Sequence, residues 1–184
     1  MVGAPLFCSS WALPSAVSAV LASASLVGFS GSRSVVPPSA VCASLFRCVP
    51  ASASVSVGCA RGFDLAVRGA FPSALVWSAS SFGVGRGAFA RRSVAFVRSL
   101  SACPSSVLVS APAVPCPAGL VPSRSSSRCF AGFGSGSWAG VAFAVGLGVP
   151  VALFLPVGVV PPASFGFSAC GGGWFLFVPS AGLF

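Results

Sequence analysis

The sequence predicts no confident globular fold, but a largely irregular, low-complexity apolar chain with at most short isolated α-helices near residues 13–28 and 138–149. Only 6% of its 184 residues are charged and its mean hydropathy is +0.98, whereas about a quarter of the residues of a soluble globular domain are charged. Its 22 glycines and 16 prolines are spread over the whole length, and these residues interrupt helices and strands alike. We expect such a chain to collapse or aggregate in water.

The restricted set of residue types is a further basis for this prediction. All residues except Met1 and Asp64 belong to ten types, and Lys, Asn, Thr, Ile, Gln, Glu, His and Tyr are absent. No physical property unites the absent types, because Ile is a good core residue while Lys and Glu are ordinary surface residues. Their codons all carry adenine at the first or second position. We therefore expect a spurious open reading frame translated from adenine-poor DNA, with no assignable biochemical function.

Charge divides the chain into three zones without a convincing domain boundary. Residues 1–32 form an uncharged Ala/Ser-rich zone, residues 33–128 hold all ten arginines and Asp64, and residues 129–184 form an uncharged Gly/Phe/Val-rich zone. Apolar side chains recur at helical spacing between residues 13 and 27, which predicts the first of the two short helices.

The later segments offer fewer structural signals. Residues 51–57 alternate serine with alanine or valine, the period of a half-buried strand, although repeated trinucleotides in DNA write the same pattern. Five prolines between residues 103 and 122 favour an irregular run without regular elements. An uncharged run predicts the second helix at 138–149. Residues 172–178, GGWFLFV, form an aggregation-prone window.

A small basic membrane-associated protein is the alternative interpretation. Residues 138–160 carry no charge over a length that suffices to span a bilayer, and residues 11–29 form a second uncharged segment. Prolines and glycines interrupt the longer segment, and lipid tolerates them only where neighbouring protein satisfies the freed backbone groups. If the chain is made and inserted, the membrane is its expected compartment; otherwise the sequence indicates none.

Candidate chemistry is sparse, and the sequence predicts neither an enzyme nor any catalytic, cofactor-binding or metal-ligating residue. His and Tyr are absent and Asp64 is the only acidic side chain, so paired carboxylates and the commonest general bases are missing. On a helix, Asp64 would lie near Arg61 and Arg68 and form exposed ion pairs of small value. The eight cysteines include no CxxC pair, so we expect no structural zinc site.

Two stretches, residues 83–88 and 134–139, fit the GxGxxA pattern of dinucleotide-binding loops. No acidic residue follows either stretch to bind a ribose, and no clear strand, turn and helix surround them. We interpret both as chance matches in a glycine-rich chain.

The basic segment at residues 86–98 supports a second alternative. Arg86, Arg91, Arg92 and Arg98 are interleaved there with two phenylalanines, and basic residues among aromatic ones can hold a phosphate backbone and stack bases. We expect at most weak, non-specific binding of RNA or other anions through these four arginines. Apart from this and membrane association, the sequence indicates no partner.

Overall fold

Strands alternate with helices along most of the chain. The computed structural model describes residues 12–179, apart from the side chain of Arg86. Within that range the helices are α1 (Ser15–Ala22), α2 (Ser39–Arg47), α3 (Phe63–Ala70), α4 (Arg86–Ser101), α5 (Ser126–Cys129) and α6 (Gly136–Gly146). The strands are β1 (Leu26–Gly31), β2 (Ser54–Gly58), β3 (Leu75–Trp77), β4 (Ser106–Ala111), β5 (Val151–Phe154), β6 (Ser168–Gly171) and β7 (Trp174–Phe177). Two short 3₁₀-helices lie at Ala79–Phe82 and Ala163–Phe165.

The seven described strands form one mixed sheet in the order β3-β2-β1-β4-β5-β7-β6. The first five strands in this order are parallel to their neighbours, whereas β7 runs antiparallel to both β5 and β6. Helices α2, α3 and α4 each connect two successive parallel strands, and α5 and α6 lie between β4 and β5. This is a doubly wound α/β arrangement in which the direction of winding reverses between β1 and β4.

Two apolar layers cover the two faces of the sheet. Helices α1, α2 and α3 contribute to one layer, and α4, α5 and α6 contribute to the other. Strand β4 supplies both, because Val107 and Val109 lie in the first layer and Leu108 lies in the second. Gly28 of β1 lets α4 approach the sheet, since a Cβ there would lie 2.6 Å from Leu100 Cδ1. Burial on both faces is typical of parallel sheets.

The prediction of an irregular chain with isolated helices near 13–28 and 138–149 is wrong. Helices α1 and α6 overlap these two segments, but both pack against a sheet. Many of the glycines and prolines mark the ends of elements instead of interrupting them. Pro14 and Pro38 directly precede α1 and α2, where a missing N–H costs nothing.

The expectation of a spurious, low-complexity reading frame is also wrong, because the chain folds into an α/β domain with buried cores on both sheet faces. Codon composition restricts which residue types occur but does not fix their order, and the order determines the fold. Residues 103–122, predicted to be irregular, contain β4, whose six residues are all buried. The strand fits between Pro104 and Pro112. Residues 51–57 do lead into a strand, β2.

The membrane alternative is wrong for both predicted segments. Residue 11 lies outside the described residues, and residues 12–29 divide between α1 and β1; residues 138–160 divide between α6, β5 and a loop. No helix within residues 12–179 has the length and apolar character needed to cross a bilayer. The window at 172–178 contains β7, which is paired on both sides and therefore offers no free edge to another chain.

Candidate functional site

A crevice of about 470 Å³ opens at the carboxyl ends of the parallel strands. The loops that follow β1 and β4 line it together with α4 and the start of α6. These two strands are adjacent in the sheet, but their connections lead to strands on opposite sides. In open α/β sheets such a reversal leaves a crevice in which ligands bind.

The loop after β1 forms one wall of the crevice. The hydroxyl oxygen of Ser32 accepts hydrogen bonds from the backbone N–H groups of Ser34, at 3.2 Å, and Val35, at 3.1 Å. This turn brings Arg33 over the ring of Phe89 on α4, with the guanidinium carbon 4.5 Å from the ring centroid. A cation at this distance from an aromatic face is held by the ring quadrupole, so a positive charge lies at the rim.

Asp64 lies in the crevice wall, in the first turn of α3. The expectation of exposed ion pairs is wrong for this residue, because only 2% of it is exposed. Its Oδ2 accepts a hydrogen bond from the N–H of Ala60 at 3.2 Å, whereas Oδ1 has no hydrogen-bond partner among the described residues. Burial raises the pKa of the carboxyl; the positive charge of Arg92, the Ala60 N–H, the positive charge of Arg68 and the Gly31 N–H oppose that rise.

Arg92 enters the same crevice from α4 and is 7% exposed. Its Nε has no hydrogen-bond partner among the described residues. Gly58, at the end of β2, makes room for it, because a Cβ there would overlap both the guanidinium of Arg92 and the carboxylate of Asp64. A buried, unsatisfied N–H on a charged group is costly, and a ligand that accepts a hydrogen bond from it would recover that cost.

Arg68 has a different role at the same place. Its Nη1 donates hydrogen bonds to the carbonyl oxygens of Gly58, at 2.7 Å, and Ala60, at 3.0 Å. These contacts fasten α3 to the end of β2 and thereby position Asp64. Arg68 therefore stabilises the wall of the crevice.

The amino end of α6 forms the opposite wall. Ser135 caps this helix, its hydroxyl accepting from the N–H of Trp138 at 3.4 Å, and Gly134 precedes it at a φ of +88°. The indole N–H of Trp138 donates to the carbonyl oxygen of Val114 at 2.8 Å, which ties the helix to the segment after β4. N–H groups in the first turn of a helix have no partner within the helix and carry partial positive charge, and Gly136 and Ser137 line the cavity there.

The four arginines of segment 86–98 do not meet at one site. Arg86 begins α4, but its side chain lies outside the described structure. Arg91 donates its Nε to the carbonyl oxygen of Phe82 at 2.8 Å. Arg92 faces the crevice, and Arg98 lies in a separate depression beside α5.

The two glycine patterns also occupy different places. Residues 83–88 lead into α4, while residues 134–139 form the start of α6 at the crevice.

The placement of Asp64 beside Arg92 was not predicted from the sequence. The available signal was the position of the only acidic residue six positions after Gly58, the end of β2.

Thiols and metals add nothing to this site. Within residues 12–179, no three His, Cys, Asp or Glu side chains are close enough together to hold a metal ion. Burial raises the pKa of Cys116 to about 11 and also raises the pKa of Cys42, which disfavours the thiolate in both.

Comparisons with known proteins give no relative. No protein-family model, no curated protein and no solved structure matches this chain significantly.

Proposed function

We propose that the crevice binds the phosphate group of a small organic phosphate. The observation that supports this most directly is the buried Arg92 side chain, whose Nε lacks a partner and which lines a cavity shared with the amino end of α6. Helix amino ends and arginine side chains are both groups that proteins use to hold phosphate. Arg33 supplies a second cation at the rim.

Asp64 is compatible with this ligand. Its buried carboxyl, whose pKa burial raises, retains one oxygen without a partner. When protonated it can donate to a phosphate oxygen, and when ionised it can accept from a hydroxyl group of the ligand. In its protonated form the carboxyl therefore adds a donor for a phosphate oxygen.

We propose a binding role rather than a catalytic one. The chain has no His and no Tyr, and Asp64 is its only acidic side chain, so proton transfer in the crevice would depend on this single carboxyl. The non-specific binding of nucleic acid through all four arginines stays a separate prediction. Among the described side chains of these four arginines, only that of Arg92 lines the crevice and is needed for phosphate binding.

The test is a calorimetric titration of the full chain with inorganic phosphate at low ionic strength. We expect Arg92→Met to weaken binding by about tenfold or more, since a hydrogen bond to a charged group contributes about 1.5–3 kcal/mol. Arg98→Met is the matched control, because it removes an exposed arginine of the same helix outside the crevice. It should change the affinity less than twofold.

Arg92→Lys tests whether weaker binding results from the loss of the guanidinium group and not from loss of the folded domain. We expect this variant to bind with intermediate affinity, because an ammonium keeps the charge but loses the planar set of donors. Thermal melts of each variant establish that the domain is folded. Equal weakening by Arg92→Met and Arg98→Met, or no binding by the unaltered chain, would contradict the proposal.

A further inference from the structure

An apolar groove of about 690 Å³ lies beside the crevice at the same end of the sheet. Seventeen residues line it, and all of them are Val, Pro, Ala, Leu, Phe or Gly. Several valines in its wall are open to solvent; Val35 is 47% exposed, Val36 44% and Val157 102%. A concave apolar surface of this volume is within the range of small-molecule sites.

The groove and the crevice are adjacent. The loop after β1 lines the crevice with residues 31–34 and then lines the groove with residues 35–38. After β4, Ala113 lines both cavities. This shared wall is where a ligand held beside Arg92 would extend an attached group into the groove.

The chemistry of the groove selects an aliphatic group over a nucleobase. A base carries donors and acceptors around its edge, and their burial without partners is costly. None of the lining side chains contains a nitrogen or oxygen atom. A saturated or prenyl chain has no such requirement, and its transfer from water onto these side chains is favourable.

We infer that the ligand is an amphiphile, the phosphate monoester of an aliphatic or prenyl alcohol. This inference rests on the proposed phosphate site and adds the apolar half of the ligand. Arg92 and the amino end of α6 hold the phosphate. The aliphatic part of the ligand contacts Val35, Val36, Phe154 and Val157. The position of the groove beside a crevice lined by Arg33 and Arg92 favours this occupant over a second copy of the protein.

The experiment titrates the full chain with inorganic phosphate and with methyl, butyl, hexyl and octyl phosphate, each below its micelle concentration. We expect the affinity to rise about fourfold for each methylene buried, which corresponds to about 0.8 kcal/mol for each CH₂, until the groove is filled. Octanol without phosphate should bind far more weakly than octyl phosphate.

Paired variants separate the two halves of the ligand. Val36→Asn with Val157→Asn should abolish most of the gain from chain length and leave the affinity for inorganic phosphate within twofold. Val84→Asn with Val121→Asn is the control, because both valines are exposed and neither lines the groove. The control should retain the full dependence on chain length.

The outcomes distinguish the two claims. If inorganic and methyl phosphate bind through Arg92 but octyl phosphate binds no more tightly, the groove does not bind the alkyl group, and the inference is overturned while the phosphate site stands. If the affinity rises with chain length but Arg92→Met has no effect, the phosphate proposal fails and the amphiphile inference fails with it.

Discussion

Asp64 and Arg92 are oppositely charged, buried residues in a chain in which 6% of the residues are charged. They are 28 positions apart in the sequence and meet only because α3, β3 and α4 return the chain to the end of β2. No local pattern connects them, so sequence reasoning placed Asp64 in an exposed pair with its helical neighbours. The buried site depends on tertiary structure and was therefore not predictable from spacing.

The raised pKa of Asp64 predicts an unusual dependence of stability on pH. The folded state holds the proton more tightly than the unfolded state, whose aspartate pKa is about 3.9. The stabilisation is therefore fully present below pH about 3.9 and is lost as pH rises through the folded-state pKa. The slope between these two values approaches about 1.4 kcal/mol per pH unit, and thermal melts between pH 3 and 7 measure it.

Asp64→Asn is the control for this dependence. With no His or Glu in the chain, Asp64 is its only side chain that titrates in this range. The variant should therefore melt at nearly the same temperature throughout. A slope equal to that of the unaltered chain would show that Asp64 is not its source.

At the scale of elements, sequence patterns identify α1, whose outer face is exposed, and part of β2, but they miss β4, which is buried on both faces. The alternation at residues 51–57 leads into β2, and helical spacing found most of α1. Strand β4 is buried throughout, so it shows no alternation that distinguishes it from an irregular apolar run. Its flanking prolines concealed it further.

Helix α6 allows a matched test of how its glycines pack. A Cβ on Gly140 would have no heavy atom within 4 Å outside its own helix, whereas a Cβ on Gly146 would overlap the backbone of Ser123. We expect Gly140→Ala to stabilise the domain by about 0.5–1 kcal/mol, the difference in helix propensity. Gly146→Ala should destabilise it by about 1–3 kcal/mol. Denaturant unfolding measures both free energies.

Each substitution is the control for the other, because both add one methyl group to the same helix. If the two variants changed the free energy of unfolding by the same amount, the close packing of α6 on the segment at Ser123 would be incorrect.

At the scale of the whole molecule, small residues cover much of the surface of a chain that has few charges. The exposed positions are largely Ser, Ala, Gly, Pro and Arg, while the large buried side chains are Trp, Phe and Leu. Bulk hydropathy does not distinguish a core from a surface when both are built from few residue types. This is the physical reason why composition predicted aggregation.

The shared sheet predicts one cooperative unfolding transition. Strands β1, β4 and β5 contribute to both apolar layers, so neither layer can melt while the other stays intact. We expect calorimetric and van't Hoff enthalpies to agree, with a heat-capacity change of roughly 2–3 kcal/mol/K for a chain of this length. Tryptophan fluorescence and far-ultraviolet circular dichroism should give coincident curves. Two separate transitions would contradict this prediction.

The antiparallel hairpin of β6 and β7 has a consequence for how this protein can diversify. Because β7 pairs Trp174 with Phe154 of β5, the turn at Gly172 and Gly173 reaches the groove and forms part of its wall. Turns accept insertions more readily than strands do. Lengthening this turn would extend the apolar groove without altering Arg92 or α6. The binding of the aliphatic part of a ligand could therefore change while the binding of its phosphate stays the same.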